Sequence, residues 1–485
     1  MMQYIKKNIL PVVLLLLLCY PVIFMKLGSF SMRIWDESFF AVNTYEMMER
    51  NEFFIPYRNG VVDTYNFKPP LINWAQMISV SLFGYNEPAI RLPSAIAATL
   101  IIIALFFFIR KHFNSLFAWI AALVLLTTHG FITFHSARTG DADTVFTMFV
   151  TFANLLLIDS ILKQRIKNTG ILLFFGLLSL AFWTKSIAVF LFFPGYLLIG
   201  ILYWKKLFSG IFRNGSFRIG LLMFTTVIGG LLIIREARFP GYFGYIINHE
   251  AGRLTVGLEG HKQSFDFYIW NLFSDSYYYW FMLFVLSLVL PFINNIELKI
   301  KRLLFTIFLL FAGYLSVISL SVTKVFWYLL PAFPLLAIGT ASLINYIVLR
   351  NTSKKIIYIL AVAIVFIIPY TKMFNYSQAN SYTVFENKNE AIEKYLHKAL
   401  KTGKNIDDYY VYHRGENCAL KFYRYRMKEL GQELHLVNIP VFEPGCFVIA
   451  SDDSLKQEIT EKYNTTEKDH CDFVTVYQIN NYVDN

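Results

Sequence analysis

"RIWDESFF", residues 33–40, stands just past an apolar run, Ile9 to Met25, that is long enough to cross a bilayer. Two adjacent carboxylates, Asp36 and Glu37, therefore sit beside Trp35 where the chain leaves the lipid. Charged groups near membrane depth are costly unless they are paired or hydrated, so this stretch reads first as functional. Reading outward, ten further apolar runs follow: Ala89 to Ile109, Phe113 to Phe134, Thr144 to Leu162, Gly170 to Phe182, Ile187 to Trp204, Ile219 to Ile234, Tyr277 to Ile293, Leu303 to Leu320, Phe326 to Leu349 and Ile356 to Tyr370. The short pair Gly170 to Phe182 and Ile187 to Trp204 reads either as two spans or as one re-entrant hairpin, with the charge pattern favouring two.

Composition agrees with this reading. Hydrophobic residues make up 56% and aromatics 18% of 485 residues, and the mean hydropathy of +0.47 is that of a polytopic membrane protein rather than a soluble enzyme. The net charge of +11 does not mark a nucleic-acid binder, because Lys and Arg fall in short clusters between apolar runs instead of along one stripe. With Lys6 and Lys7 in the cytoplasm, every second junction is basic: Arg110 and Lys111; Lys163, Arg165 and Lys167; Lys205, Lys206, Arg213 and Arg218; Lys299, Lys301 and Arg302; Arg350, Lys354 and Lys355. This register places the N-terminus inside and the other loops outside. Ile9 to Met25 is read as an uncleaved anchor, since no small-residue cleavage site follows it and Leu18 precedes Cys19 where a lipoprotein would have a small residue.

Two outside loops, Lys26 to Pro88 and Arg235 to Ser276, are long and rich in aromatic and charged residues, a pattern that goes with function. Glu37 to Glu49 has helical spacing and is expected along the membrane surface, and Pro69 and Pro70 suit the opening of a second helix, Leu71 to Phe83. From Lys372 onward no run can cross a membrane. The expectation is therefore a mainly α protein: a membrane helical bundle of about 11 to 13 spans over residues 1–370, with surface helices in loop 26–88, and a small α/β extracytoplasmic domain over 371–485. In that domain Asn387 to Leu400 and Ser454 to Tyr463 read as helices; Asp408 to His413, Leu434 to Val437, Cys446 to Ala450 and Phe473 to Ile479 read as strands. Cys418, Cys446 and Cys471 leave room for one disulfide outside the cell and form a poor zinc pattern.

The topology gathers ionisable residues on the outer side: Asp36, Glu37, Lys68, Arg138, Asp141, Asp143, Lys185, His249, Glu250, Arg253, Glu259, His261 and Lys324. Here the sequence resembles the polytopic glycosyltransferases of the protein O-mannosyltransferase and aminoarabinose transferase superfamily. The resemblance rests on "WDESFFAVNTYEMMERNEFFIPYRNGVVDTYNFKPPLINW" from Trp35, "EPAIRLPSAIAATL" from Glu87, "ARTGDADTVFTMF" from Ala137, "FWTKSIAVFLFFPG" from Phe182, "RFPGYFGYIINHEAGRLTVGLEGH" from Arg238 and "TKVFWYLLPAFP" from Thr323. It implies a GT-C fold that moves a sugar from a polyprenyl-phosphate carrier to an acceptor on the extracytoplasmic face of the inner (plasma) membrane. The acceptor classes are a lipid A-like lipid, another envelope glycan or a protein.

Glycosyl transfer needs a carboxylate to take the acceptor proton and cations to stabilise the departing phosphate. By resemblance, Asp36 is the first choice for the base, Asp143 its partner, and Glu37 a third acid, for which a surface helix's first-turn acid favoured by the dipole is the structural alternative; a divalent cation held by Asp36 and Asp143 is the implied cofactor. Capping of the helix that begins at Thr144 is the structural alternative for Asp143, and capping or solvation is favoured for Asp141. Lys68 in "FKPPL" matches the lysine given to the carrier phosphate, although Phe67 stands where the family often has an acid. Arg138, Lys185, Arg253, His261 and Lys324 are the other donor-phosphate candidates. Pairing of Arg138 with Asp143 and snorkelling of Lys185 and Lys324 are the alternatives. Tyr328 is a candidate sugar contact, with Trp327 beside it, although interfacial anchoring explains both equally. His249, Glu250 and His261 make no HExxH pattern, so zinc is not assigned. The rival class is a transporter or lipid flippase, against which stand the lack of an inverted repeat and the clustering of carboxylates at one face.

Overall fold

The computed structural model describes residues 2–133, 135–252, 260–350, 355–379 and 389–483. Each of the eleven apolar runs falls on a helical segment, as backbone crossing hydrocarbon must satisfy its own hydrogen bonds. Seven helical stretches are long and apolar enough to span: Glu87–His112, Asp143–Lys163, Asn168–Leu202, Gly215–Arg238, Leu298–Leu320, Phe326–Arg350 and Ile356–Gln378. Shorter apolar helices cover Ile9–Phe24, Leu71–Phe83, Ser115–Leu126 and Phe281–Phe292.

The chain divides into two compact units: Met1–Met25, Lys68–Ile72 and Pro93–Ser377 form the first, and Lys26–Phe67, Asn73–Leu92 and Gln378–Asn485 the second. In the first unit the opening and closing helices are tied together, Tyr370 Oη donating to the Leu18 carbonyl at 3.0 Å and Ser377 Oγ to that of Pro21 at 2.8 Å. The long stretch Asn168–Leu202 breaks after Lys185. Ser186 takes φ 49°, the chain tightens into a 3-10 turn over Ser186–Phe192, and a new helix, Phe193–Leu202, packs on Leu298–Leu320. That packing needs Gly195 and Gly313, because a Cβ on Gly313 would stand 2.3 Å from the Gly195 nitrogen.

The second unit encloses helix Asp36–Glu49: Glu37 to Met47 are all buried. Its polar residues have buried partners, Asn43 Nδ2 donating to Asp63 and Thr44 Oγ1 to Gln76, each within 2.9 Å, while Glu46 accepts from the Tyr425 hydroxyl at 2.7 Å. Met32, Ala41, Tyr45, Val80, Tyr85 and Ile90 share one hydrophobic core with Ile392, Tyr395, Leu396, Leu420, Phe422 and Tyr423. A division at residue 370 separates these segments, yet it is this shared apolar surface that joins residues 26–67 and 73–92 to the C-terminal region.

The C-terminal region holds a five-stranded sheet. Strands β3 (Tyr409–Tyr412), β4 (Leu434–Val437) and β5 (Phe447–Ala450) are parallel, and β6 (Tyr463–Cys471) and β7 (Val474–Tyr482) add an antiparallel hairpin, in the order β4-β3-β5-β7-β6. A smaller hairpin, β1 (Tyr57–Arg58) and β2 (Val61–Val62), turns on Asn59 and Gly60, both at positive φ, the pairing that two-residue hairpins favour. Helix Cys418–Glu429 and strand β6 carry little apolar alternation and were not foreseen. All four cysteines are free, Cys19 and Cys418 among them buried.

Candidate active site

In the second unit the opening motif resolves into two different acids. Glu37 is 1% exposed, and both its oxygens are held by Arg91, Nε at 2.7 Å and Nη2 at 2.9 Å, while the Arg33 amide donates to it at 2.9 Å. Arg91 also donates to the carbonyls of Leu27, Phe30 and Ser31, at 3.0, 3.0 and 2.8 Å. A forked guanidinium matches a carboxylate in this way, and Arg91 pins the turn Leu27 to Ser31 to the base of helix Glu87–His112. Glu37, expected among the catalytic acids, has a fully engaged, buried carboxylate. Asp36 is the first residue of its helix and half-buried, preceded by Trp35 at φ 77°. A non-glycine residue at that φ is strained, and such strain persists where the surroundings over-determine it.

The first unit brings together Asp143, Lys185 and Tyr328. Asp143 opens helix Asp143–Lys163 and Lys185 closes the neighbouring helix Asn168–Lys185. The two helices pack against each other, so the carboxylate sits at a positive dipole end and the ammonium at a negative one. Lys185 Nζ ion-pairs with Asp143 and lies 5.0 Å from the centre of the Tyr328 ring. Tyr328 is held in turn by Tyr314, whose hydroxyl donates to its carbonyl at 2.6 Å. Arg138 does not pair with Asp143. The oxygen Asp143 was expected to offer a cation faces an ammonium, which competes with a metal for it.

A second pair in this unit was not assigned a chemical role in advance. His135 Nδ1 lies 3.3 Å from Asp141 Oδ2, both residues are buried, and the imidazole stacks on Trp327 with ring centres 3.8 Å apart. His135 takes φ 55°, and Asp141 Oδ1 is buried without a hydrogen-bond partner among the described residues. An imidazole nitrogen beside an under-satisfied carboxylate is a donor set that fits a divalent cation. The sequence signal was present in "FHSARTGDAD", but nothing local says that residues six apart turn back on each other. Thus the strained positions Trp35, His135 and Ser186 adjoin or coincide with Asp36, the His135–Asp141 pair and Lys185.

The remaining candidates differ in kind. Arg138, expected at phosphate, directs Nη1 to the carbonyls of Val22, Ile23 and Met25 at 2.9–3.1 Å and Nη2 to Ser377, closing the ends of the first and last helices. Lys324 is likewise buried against backbone, Nζ donating to the carbonyls of Ser321 at 2.5 Å and Gln263 at 3.1 Å. It fastens the segment around His261, whose carbonyl accepts from the Lys324 amide at 2.9 Å and whose side chain is exposed. Lys68 is half-buried, and its carbonyl accepts from fully buried Arg235 at 2.8 Å. Arg235 also donates to the Tyr242 hydroxyl at 3.1 Å, so it acts as a clamp on the "FKPPL" turn that sequence reading missed. Arg253 lies outside the described residues, as do the side chains of His249 and Glu250.

A bundle of apolar helices, a buried helix opening on adjacent acids and a C-terminal α/β region make this an integral-membrane protein with the fold of ArnT. The match is to the crystal structure of ArnT from Cupriavidus metallidurans bound to undecaprenyl phosphate, with a TM-score of 0.69 over 96% of this chain and 97% of that one at 13% identity. The oligosaccharyltransferase of Archaeoglobus fulgidus in its apo form gives a TM-score of 0.50, covering 94% of this chain and 69% of that one at 11% identity. A family model described as dolichyl-phosphate-mannose-protein mannosyltransferase matches residues 67–229. An uncharacterized protein of Aquifex aeolicus (strain VF5) is 25% identical over 338 residues, which span 68% of this chain and 64% of that protein.

Proposed function

We propose that the protein transfers a sugar from a polyprenyl-phosphate donor to an envelope acceptor, a lipid, glycan or protein hydroxyl, at the extracytoplasmic face of the plasma membrane. The observation that carries this reading is the Asp143–Lys185–Tyr328 cluster at the paired ends of two membrane helices. It sets a cation and an aromatic face together where a phosphosugar presents an anion and an apolar ring edge. In the reaction, the acceptor oxygen forms a bond to the anomeric carbon as the bond from that carbon to the carrier phosphate oxygen breaks. The acceptor proton passes to the Asp36 carboxylate. Lys185, with Lys68 held by Arg235, stabilises the negative charge that collects on the departing polyprenyl phosphate.

His135 and Asp141 are the residues that would hold a divalent cation, which when bound lowers the pKa of a coordinated hydroxyl. The ArnT structure with undecaprenyl phosphate supports the donor class. The test is mass spectrometry of envelope lipids, glycans and glycoproteins from cells with and without the gene, followed by transfer from the identified polyprenyl-phosphate sugar in proteoliposomes. One sugar missing from one acceptor class is expected; identical envelopes and no transfer from any polyprenyl-phosphate sugar overturn the proposal.

A further inference from the structure

The first unit contains a cavity of about 920 Å³, walled by helices Asp143–Lys163, Asn168–Lys185 and Phe193–Leu202 and by the turn Trp204–Phe208. Its lining is apolar, Leu156, Phe174, Leu197 and Trp204 among it, and its only cations are Lys205 and Lys206 at one end. No carboxylate lines it, and among the described residues neither lysine is in an ion pair. Leu197, Ile201 and Leu202 are exposed along its open side. An apolar hollow of this size suits a ligand, and a basic pocket between membrane helices suits a lipid headgroup.

Dimensions select the occupant. Helix Phe193–Leu202, which forms one wall, has ten residues and is about 15 Å long, half of the roughly 30 Å hydrocarbon core and so comparable to one leaflet of acyl chain. Its cationic end lies at the basic junctions Lys163–Lys167 and Lys205–Arg218. Gly170 and Ile171 on its wall stand at the opposite end of helix Asn168–Lys185 from Lys185, about 20 Å away along the axis. A polyprenyl carrier with its phosphate at Lys185 cannot also place that phosphate at Lys205 and Lys206.

We infer that this cavity holds an anionic glycerophospholipid, its acyl chains along Phe193–Leu202 and its phosphate at Lys205 and Lys206. Charge complementarity with a lipid phosphate of two lysines that make no ion pair among the described residues, at the end of an apolar hollow walled by a helix about as long as one leaflet is deep, carries the assignment. It does not depend on sugar transfer.

The test is native mass spectrometry of the full-length protein, purified in mild detergent and exchanged with phosphatidylglycerol, phosphatidylethanolamine or undecaprenyl phosphate. One phosphatidylglycerol is expected to be retained in preference to phosphatidylethanolamine. Each lysine contributes about a fivefold preference, so Lys205→Gln with Lys206→Gln lowers retention roughly thirtyfold. Gly200 lines the cavity and an added Cβ there meets open space, so Gly200→Phe fills the hollow without disturbing the fold or the charges and lowers retention of both phospholipids. Equal retention of the two phospholipids by the wild type overturns the inference. So does lysine-dependent displacement of phosphatidylglycerol by undecaprenyl phosphate, or retention unchanged in both variants.

Discussion

Replacing Arg91 by Met tests whether Glu37 serves structure or chemistry. The side chain makes five hydrogen bonds, two to Glu37 and three to the carbonyls of Leu27, Phe30 and Ser31, inside a region where both charged residues are at most 2% exposed. Removing it strands a buried carboxylate, which costs about 3–5 kcal/mol, and leaves three carbonyls short of a donor at about 1 kcal/mol each. Removing both charges, as Glu37→Leu with Arg91→Met, strands nothing charged, so the double variant is expected to recover at least about 2 kcal/mol relative to the sum of the singles. At about 2–4 °C per kcal/mol for a unit of this size, the roughly 6–8 kcal/mol lost in Arg91→Met lowers the midpoint of thermal unfolding by roughly 12–32 °C. Unfolding of the full-length protein in detergent, followed by tryptophan fluorescence, reads these values. Activity gives the second arm: Glu37→Gln keeps transfer within about tenfold at a permissive temperature, whereas loss of a general base costs about 10²–10⁴-fold. A Glu37→Gln variant as stable as the wild type but inactive would refute the structural assignment.

Lys185→Met leaves Asp143 without its ion-pair partner and is expected to lower transfer by about 10²–10³-fold, with Lys185→Arg recovering part of it; equal activity of all three proteins in proteoliposomes removes Lys185 from the reaction. Asp141→Asn weakens binding of a divalent cation without unfolding the protein, read as a loss of metal-dependent thermal stabilisation; stabilisation unchanged by the substitution disposes of the His135–Asp141 assignment. Arg235→Ala frees the Lys68 turn and raises the KM for the donor more than it lowers kcat, a split that mere loss of folded protein does not produce. Glu393 gives a pH dependence. Burial pushes its carboxyl up from 4.5 to about 7, while Asn417 Nδ2 donates to it at 2.6 Å. Because the folded pKa lies above the unfolded one, the folded state keeps a proton that the unfolded chain gives up. The stability from this group is therefore complete below about pH 4.5 and is lost as pH rises through 7, by up to about 3 kcal/mol. Glu393→Gln should flatten thermal unfolding between pH 5 and pH 8; an unchanged slope rules Glu393 out as its source.

Much of the site was legible because the signals were local. Asp143 and Lys185 each end an apolar run, so the antiparallel packing of adjacent spans alone brings a carboxylate and an ammonium to one level. Glu37 shows the opposite case: a first-turn acid looks the same whether it faces a substrate or an arginine 54 residues away. Arg138 and Lys324 look like anion-binding cations in sequence, and only the fold shows that backbone carbonyls at helix ends and loop crossings occupy them. Strand β6 was missed because an exposed edge strand such as "YNTTEKDHC" has no buried face to impose alternation.

By itself the sequence determined that this chain is a polytopic membrane protein and where its helices lie, since length and apolarity are enforced residue by residue by the cost of backbone and charge in hydrocarbon. It also marked off a polar C-terminal region. Only the tertiary structure decided which charges are partners and which are free for chemistry, that residues 26–67 share a core with the C-terminal helices, and that His135 folds back onto Asp141. Those outcomes depend on contacts between segments far apart in sequence, and no local pattern of residue types encodes the distance between them.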